Sequence, residues 1–144
     1  MAANTAPVFS ISGDNSNNAS TGMNQLITAA ATDYTGIDAD TSLVFTADAT
    51  NGSYVERLRF KAGGTNVATV ARIYLNNGSA ATTATNNTFY GEVSLPATTA
   101  VTNAATAEID YSIGFAMQPS WRIYVGLATA VAAGWVVTPI AGKY

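Results

Sequence analysis

Cysteine and histidine are both absent from the 144 residues. That removes disulfides, thiolate nucleophiles, imidazole bases and the usual zinc ligands together, so the familiar hydrolase triads cannot be assembled. A chain without thiols is also indifferent to its redox compartment. Charge is scarce: ionisable residues make up 10% of the chain and the formal net charge is −3, against a usual charged share of about 25%. Bulk charge therefore argues against a nucleic-acid partner. Long apolar runs are missing as well. The richest, LATAVAAGWVV from Leu127, falls short of the ~18 apolar residues of a membrane span, and the opening MAANTAPVFS lacks the basic region and apolar run of a signal peptide. No phosphate-cradling GxxxxGK[ST] or GxGxxG loop occurs, and no cofactor is expected.

What is present is Ala, Thr, Asn, Gly and Ser, punctuated by short alternating segments. Residues 1–22 read as an extended N-terminal arm whose apolar island, Val8, Phe9 and Ile11, could add a strand to a neighbour's sheet edge. Residues 23–144 read as a single domain, and the 144-residue chain is long enough to bury roughly 68–70% of its unfolded surface. Its candidate strands are MNQLITAAAT, which could also be a short helix, Leu43 to Asp48, two runs around Gly63-Gly64, Thr88 to Leu95, Ala107 to Met117, WRIYVGL and Trp135 to Ile140. Ala107 to Met117 alternates most strictly, with Ile109, Tyr111, Ile113, Phe115 and Met117 on one face. Pro139 suggests an edge position for the last strand. Short strands between turn signals, with no helical period, predict an all-β, two-sheet β-sandwich, for which jelly-roll connections are one arrangement. The Ala/Thr loop from Ser79 to Asn87 is expected to be exposed and mobile.

The two runs SYVERLRFKA and TNVATVARIYL, joined by Gly63-Gly64, read as a two-residue hairpin. That register pairs Phe60 with Val67 and Leu58 with Thr69. It places Tyr54, Leu58, Phe60 and Ile73 on an apolar face whose one charge is Glu56. On the opposite face it gathers Arg57, Arg59, Lys61 and Arg72. This basic face is the leading candidate site: either a solvated sheet face or a docking surface for carboxylates of a partner. Arg72 belongs to it only if the turn has two residues and no bulge intervenes.

Other candidates are weaker. Asp33, Asp38 and Asp40 have a spacing that can hold a cation but lack the closing Glu of an EF-hand, so turn formation is the plainer role. Two of Glu56, Glu92, Glu108 and Asp110 could in principle form a glycosidase pair, but nothing singles one out, and an enzyme is not expected. Trp121, Tyr124, Trp135 and Tyr90 could make an aromatic sugar platform, although aromatics at strand spacing are usually core.

The segments NGSYVERLRFKAGGTNVATVARIYLNNGS, FYGEVSLPATT and ATAVAAGWVVTPIAGKY resemble a family of small virion proteins of tailed bacteriophages, across roughly Leu43 to Tyr144. The resemblance implies a capsid decoration, or cement, protein. Such a protein is made in the host cytoplasm, binds the major capsid protein on the outside of the head, and is a homo-oligomer such as a trimer. It implies no catalytic residues. Two alternatives stand beside it: a tail, collar or head-fibre component, and a carbohydrate-binding attachment module.

Overall fold

The computed structural model describes residues 25–143; the expected arm, with Val8, Phe9 and Ile11, lies outside them. The strands are β1 (Gln25–Ile27), β2 (Ser42–Thr46), β3 (Ser53–Ala62), β4 (Thr69–Asn76), β5 (Asn87–Leu95), β6 (Glu108–Met117), β7 (Arg122–Leu127) and β8 (Trp135–Lys143), with a 3-10 turn at Ala84–Asn86. They form two four-stranded sheets, ordered β1-β8-β3-β6 and β2-β7-β4-β5, antiparallel throughout. The pairs β1·β8, β2·β7, β3·β6 and β4·β5 are those of one long folded ribbon wound into two sheets, which is jelly-roll connectivity. The expected all-β two-sheet sandwich is what the chain forms. Its core lies between the sheets, where Phe45, Leu58, Phe60, Ile73, Ile123 and Trp135 are fully buried.

Two expectations need correction. The Gly63-Gly64 hairpin does not exist. In its sheet β3 is paired on both sides, by β6 and β8, so residues 63–68 instead carry the chain across to the other sheet, where β4 pairs with β5 and β7. The glycine serves close approach: a Cβ on Gly63 would lie 2.6 Å from the Ala133 carbonyl oxygen, and the Gly63 N–H donates to Gly134 O at 2.9 Å. The last strand is not a plain edge either. β8 lies between β1 and β3, and Pro139 sits opposite Leu58 of β3.

Bulges decide which side chains face inward. In β3 the register shifts between Val55 and Arg57, Val55 and Leu58 are both buried, and two successive residues, Glu56 and Arg57, therefore turn outward. In β5 the shift opposite Ile73 and Tyr74 separates Phe89 from Val93 and Leu95. Phe89 pairs with Tyr74 on the outer face.

That outer face is covered by the segment between β1 and β2. Ala31 N–H donates to Leu127 O at 2.7 Å, and the fully buried Tyr74 donates its hydroxyl to Asp33 O at 2.8 Å. Gly36, at φ +74°, passes so near the Tyr74 ring that a Cβ would lie 2.9 Å from it; both the left-handed backbone and the space require glycine. At the open edge Tyr90 on β5 packs against Tyr111 and Phe115 on β6 and donates its hydroxyl to Ile113 O at 3.2 Å, closing the mouth between the sheets.

Candidate functional site

The four expected basic residues do not share a face. Arg57, Arg59 and Lys61 lie on the outer face of β3, and the adjacent strand β6 sets carboxylates against them: the register places Arg59 opposite Asp110 and Lys61 opposite Glu108. Arg59 Nε lies 3.3 Å from Asp110 Oδ1 and 3.5 Å from Glu108 Oε1. Arg57 Nε lies 3.3 Å from Asp110 Oδ2, and its Nη1 pairs with Glu56. Lys61 Nζ donates to Thr106 O at 2.8 Å. Pairs this exposed are each worth roughly 0–1 kcal/mol, so their main effect is to cancel the charge of the face.

Arg72 is on β4, in the other sheet, and only 8% exposed. Its Nη1 donates to Ala31 O and Thr32 O at 3.1 and 3.2 Å, and its Nη2 to the Tyr34 hydroxyl at 3.1 Å. The guanidinium carbon also lies 4.1 Å from the centroid of the Tyr34 ring. The residue ties the covering segment to the sheet. The crossover at Gly63, which sends β4 to the other sheet, accounts for the split.

The aspartates of the covering segment form turns. Asp33 Oδ1 accepts from Thr35 N, Thr35 Oγ1 and Gly36 N at 2.8, 2.9 and 2.8 Å, and Asp38 accepts from Thr32 N and Asp40 N. Burial pushes the Asp33 carboxyl up, but bonds from the Thr35 hydroxyl and from the backbone N–H groups of Thr35, Gly36 and Ile37 outweigh it and hold the pKa below the usual value. Among the described residues no cluster of acidic side chains has metal-binding geometry. Glu56, Glu108 and Asp110 are engaged with arginines, and Glu92 is exposed on β5 opposite Arg72. The aromatic platform is not assembled either, because Trp135 is 0% exposed and cannot touch a ligand.

The jelly roll gathers its loops at two ends, and neither end's fastening is singled out by the alternation of the sequence. At one end Asn66, 4% exposed, donates Nδ2 to Gly134 O at 2.9 Å and accepts at Oδ1 from Ala133 N and Gly134 N at 2.9 and 3.0 Å. Its backbone bridges to Thr98 in both directions, while the Thr98 hydroxyl donates to Gly64 O at 2.6 Å. Three loops are thus locked together. Residues 63–68, 96–107 and 128–134 contain no ionisable side chain, and they expose Val67 at 57% and Val101 at 51%.

At the other end the Ser79 to Asn87 loop is largely exposed, as expected, and asparagine side chains fasten it. Asn76 Nδ2 donates to Asn87 Oδ1 at 2.8 Å, and Asn87 Nδ2 to Ala81 O at 2.7 Å. Asn77 Nδ2 donates to Asn86 Oδ1 at 3.3 Å, and Asn86 Nδ2 to Ala80 O at 3.0 Å. The Asn-Asn pairs at 76–77 and 86–87 are the signal by which this fastening could be found. Between this loop and Trp121 opens a cleft of about 300 Å³.

Compared with protein-family models, curated proteins and solved structures, the chain matches none.

Proposed function

We propose that this protein is a capsid decoration, or cement, protein: a homo-oligomer, such as a trimer, that binds the major capsid protein on the outside of a phage head. The observation that carries the reading is the locked, charge-free loop end around Asn66. Copies with a net charge of −3 repel one another at contacts between charged surfaces. An end free of ionisable groups and exposing Val67 and Val101 lets copies meet without that cost, and its loops are already ordered, so association loses little conformational freedom. The cancelled charge of the β3–β6 face supports a role in contact over one in catalysis. In this proposal Val8, Phe9 and Ile11 of the arm act as a clamp on a neighbour. Each contact can be weak, because many copies act together on one lattice.

The decisive measurement is the copy number of the chain in purified particles, by quantitative mass spectrometry against the major capsid protein. A ratio near one, or a simple fraction of it, supports decoration. A handful of copies places the protein in the tail or neck, and absence from particles overturns the proposal. Val67→Asp with Val101→Asp should shift the purified protein towards monomer in native mass spectrometry with its melting temperature little changed.

A further inference from the structure

The cleft at the other end of the sandwich has the chemistry of a site for a neutral sugar. Its lining joins the apolar Leu75 and Trp121 to the amides of Asn76, Asn77 and Asn86 and the hydroxyls of Thr85 and Thr88, Asn76 being fully buried and bonded to Asn87 Oδ1 and Gly78 N. Leu75 and Trp121 pack on the core, which fixes them. Asn77 donates Nδ2 to Asn86 Oδ1 and accepts at Oδ1 from Ser79 N, and Asn86 in turn donates Nδ2 to Ala80 O. The remaining N–H of each carboxamide is left for a ligand. The hydroxyls of Thr85 and Thr88 and the indole N–H of Trp121 have no hydrogen-bond partner among the described residues.

These features narrow the ligand. No ionisable side chain lines the cleft, and the nearby Arg122 is held on Ser79 O outside that lining, so a charged ligand would lose hydration without gaining a direct ion pair in the cleft. A purely apolar ligand would cover free hydroxyls and N–H groups without satisfying them, at a cost of about 1–3 kcal/mol for each one buried. A molecule with C–H groups for the indole and leucine, and several neutral hydroxyls for the polar lining, meets both demands. The volume is at the lower end of the roughly 300–1,000 Å³ of small-molecule sites, enough for a single ring. We propose that this cleft binds one neutral pyranose, free or at the end of a glycan. The inference rests on this end alone and is independent of the decoration role.

Trp135 is fully buried and Trp121 is the other of the two tryptophans, so acrylamide quenching of tryptophan fluorescence reports the cleft. The probes are glucose, galactose, mannose and N-acetylglucosamine, their methyl glycosides, and glucuronate, each raised well past ~1 mM, the range of a weak site. Protection of Trp121 by at least one neutral monosaccharide supports a free-sugar site. Protection by the methyl glycoside alone supports a glycan-terminal one. Thr85→Val with Thr88→Val, both exposed positions, should weaken protection about tenfold, equivalent to ~1.4 kcal/mol, with the melting temperature unchanged. Trp121→Phe should remove the quenchable signal. No protection by any neutral sugar, equal protection in the double-valine variant, or equal protection by glucuronate would each overturn the proposal.

Discussion

Replacing Asn66 with alanine tests whether one side chain holds three loops of the jelly roll together. The substitution removes three hydrogen bonds, to Gly134 O, Ala133 N and Gly134 N, at a position only 4% exposed. The three losses are unequal. Gly134 O still accepts from Gly63 N at 2.9 Å, so its share is small. The Ala133 and Gly134 amides lose their acceptor, and an orphaned buried donor costs about 1–3 kcal/mol. Because Ala133 is partly exposed, water can reach one of them, which favours the lower part of that range. The expected destabilisation is roughly 2–4 kcal/mol. For a domain of this size each kcal/mol moves the melting temperature by roughly 3–4 °C, so thermal melts followed by circular dichroism should fall by roughly 6–16 °C. Amide hydrogen exchange adds location: Ala133 and Gly134 should lose protection while the β3–β6 ladder keeps it. Asn77→Ala, at an exposed asparagine, is the control and should cost well under ~1 kcal/mol. A loss below ~0.5 kcal/mol for Asn66→Ala would show that the loops pack without the amide, and the preorganisation argued for this end would fail with it.

The buried phenols and the paired surface charges give two further expected outcomes. Burial raises the pKa of Tyr74, and likewise of Tyr111. Because the folded pKa lies above the unfolded value of about 10, their contribution to stability is complete below pH ~10 and is lost as pH rises through the folded pKa, the unfolded chain ionising first. The melting temperature should therefore be level to about pH 9.5 and then fall, and Tyr74→Phe should flatten part of that fall while lowering the neutral-pH value through loss of the bond to Asp33 O. Glu108→Gln with Asp110→Asn removes the carboxylates facing Arg57 and Arg59. Stability should change by less than ~1 kcal/mol per pair, whereas retention on an immobilised polyanion should increase. A large loss of stability would show that these pairs are structural.

The sheet architecture is legible because period-two alternation survives in short strands. Ala107 to Met117 and WRIYVGL read inward and outward as they fold, with Ile113, Met117, Ile123 and Val125 buried. The misread faces trace to bulges. Alternation assigns Glu56 inward and groups Phe89 with Val93, but one inserted residue reverses the parity of every later position in its strand, and nothing in the pattern marks where the insertion falls. The false hairpin has another cause: Gly63-Gly64 satisfies the turn rule, but that rule is blind to β6 and β8, which arrive later in the chain and take both edges of β3. The bulge leaves Arg57, Arg59 and Lys61 together, and it is the crossover alone that carries Arg72 off the expected basic face. Asn66 cannot be picked out by sequence among so many asparagines, since its role depends on Gly134 and Thr98 being brought to it by the winding of the fold.

The distribution of charge gives the molecule its division of labour. With 10% ionisable residues, the chain places Arg57 and Arg59 against Glu56, Glu108 and Asp110 on one sheet face, and buries Arg72 beneath the covering segment on the other. Both sheet faces therefore use their cations internally. The neutral surface lies elsewhere, locked by Asn66 and tipped by Val67 and Val101; at the opposite end Arg122 donates Nη1 to Ser79 O at 3.2 Å, beside the asparagine-pinned loop around Trp121. Jelly-roll winding sends alternate loops to opposite ends, so these two surfaces are held apart by the full length of the strands. A ligand or partner at one leaves the other free. Interactions made at the Asn66 end draw on apolar burial and neutral hydrogen bonds, which salt screens little, whereas docking through the arginines would weaken as ionic strength rises.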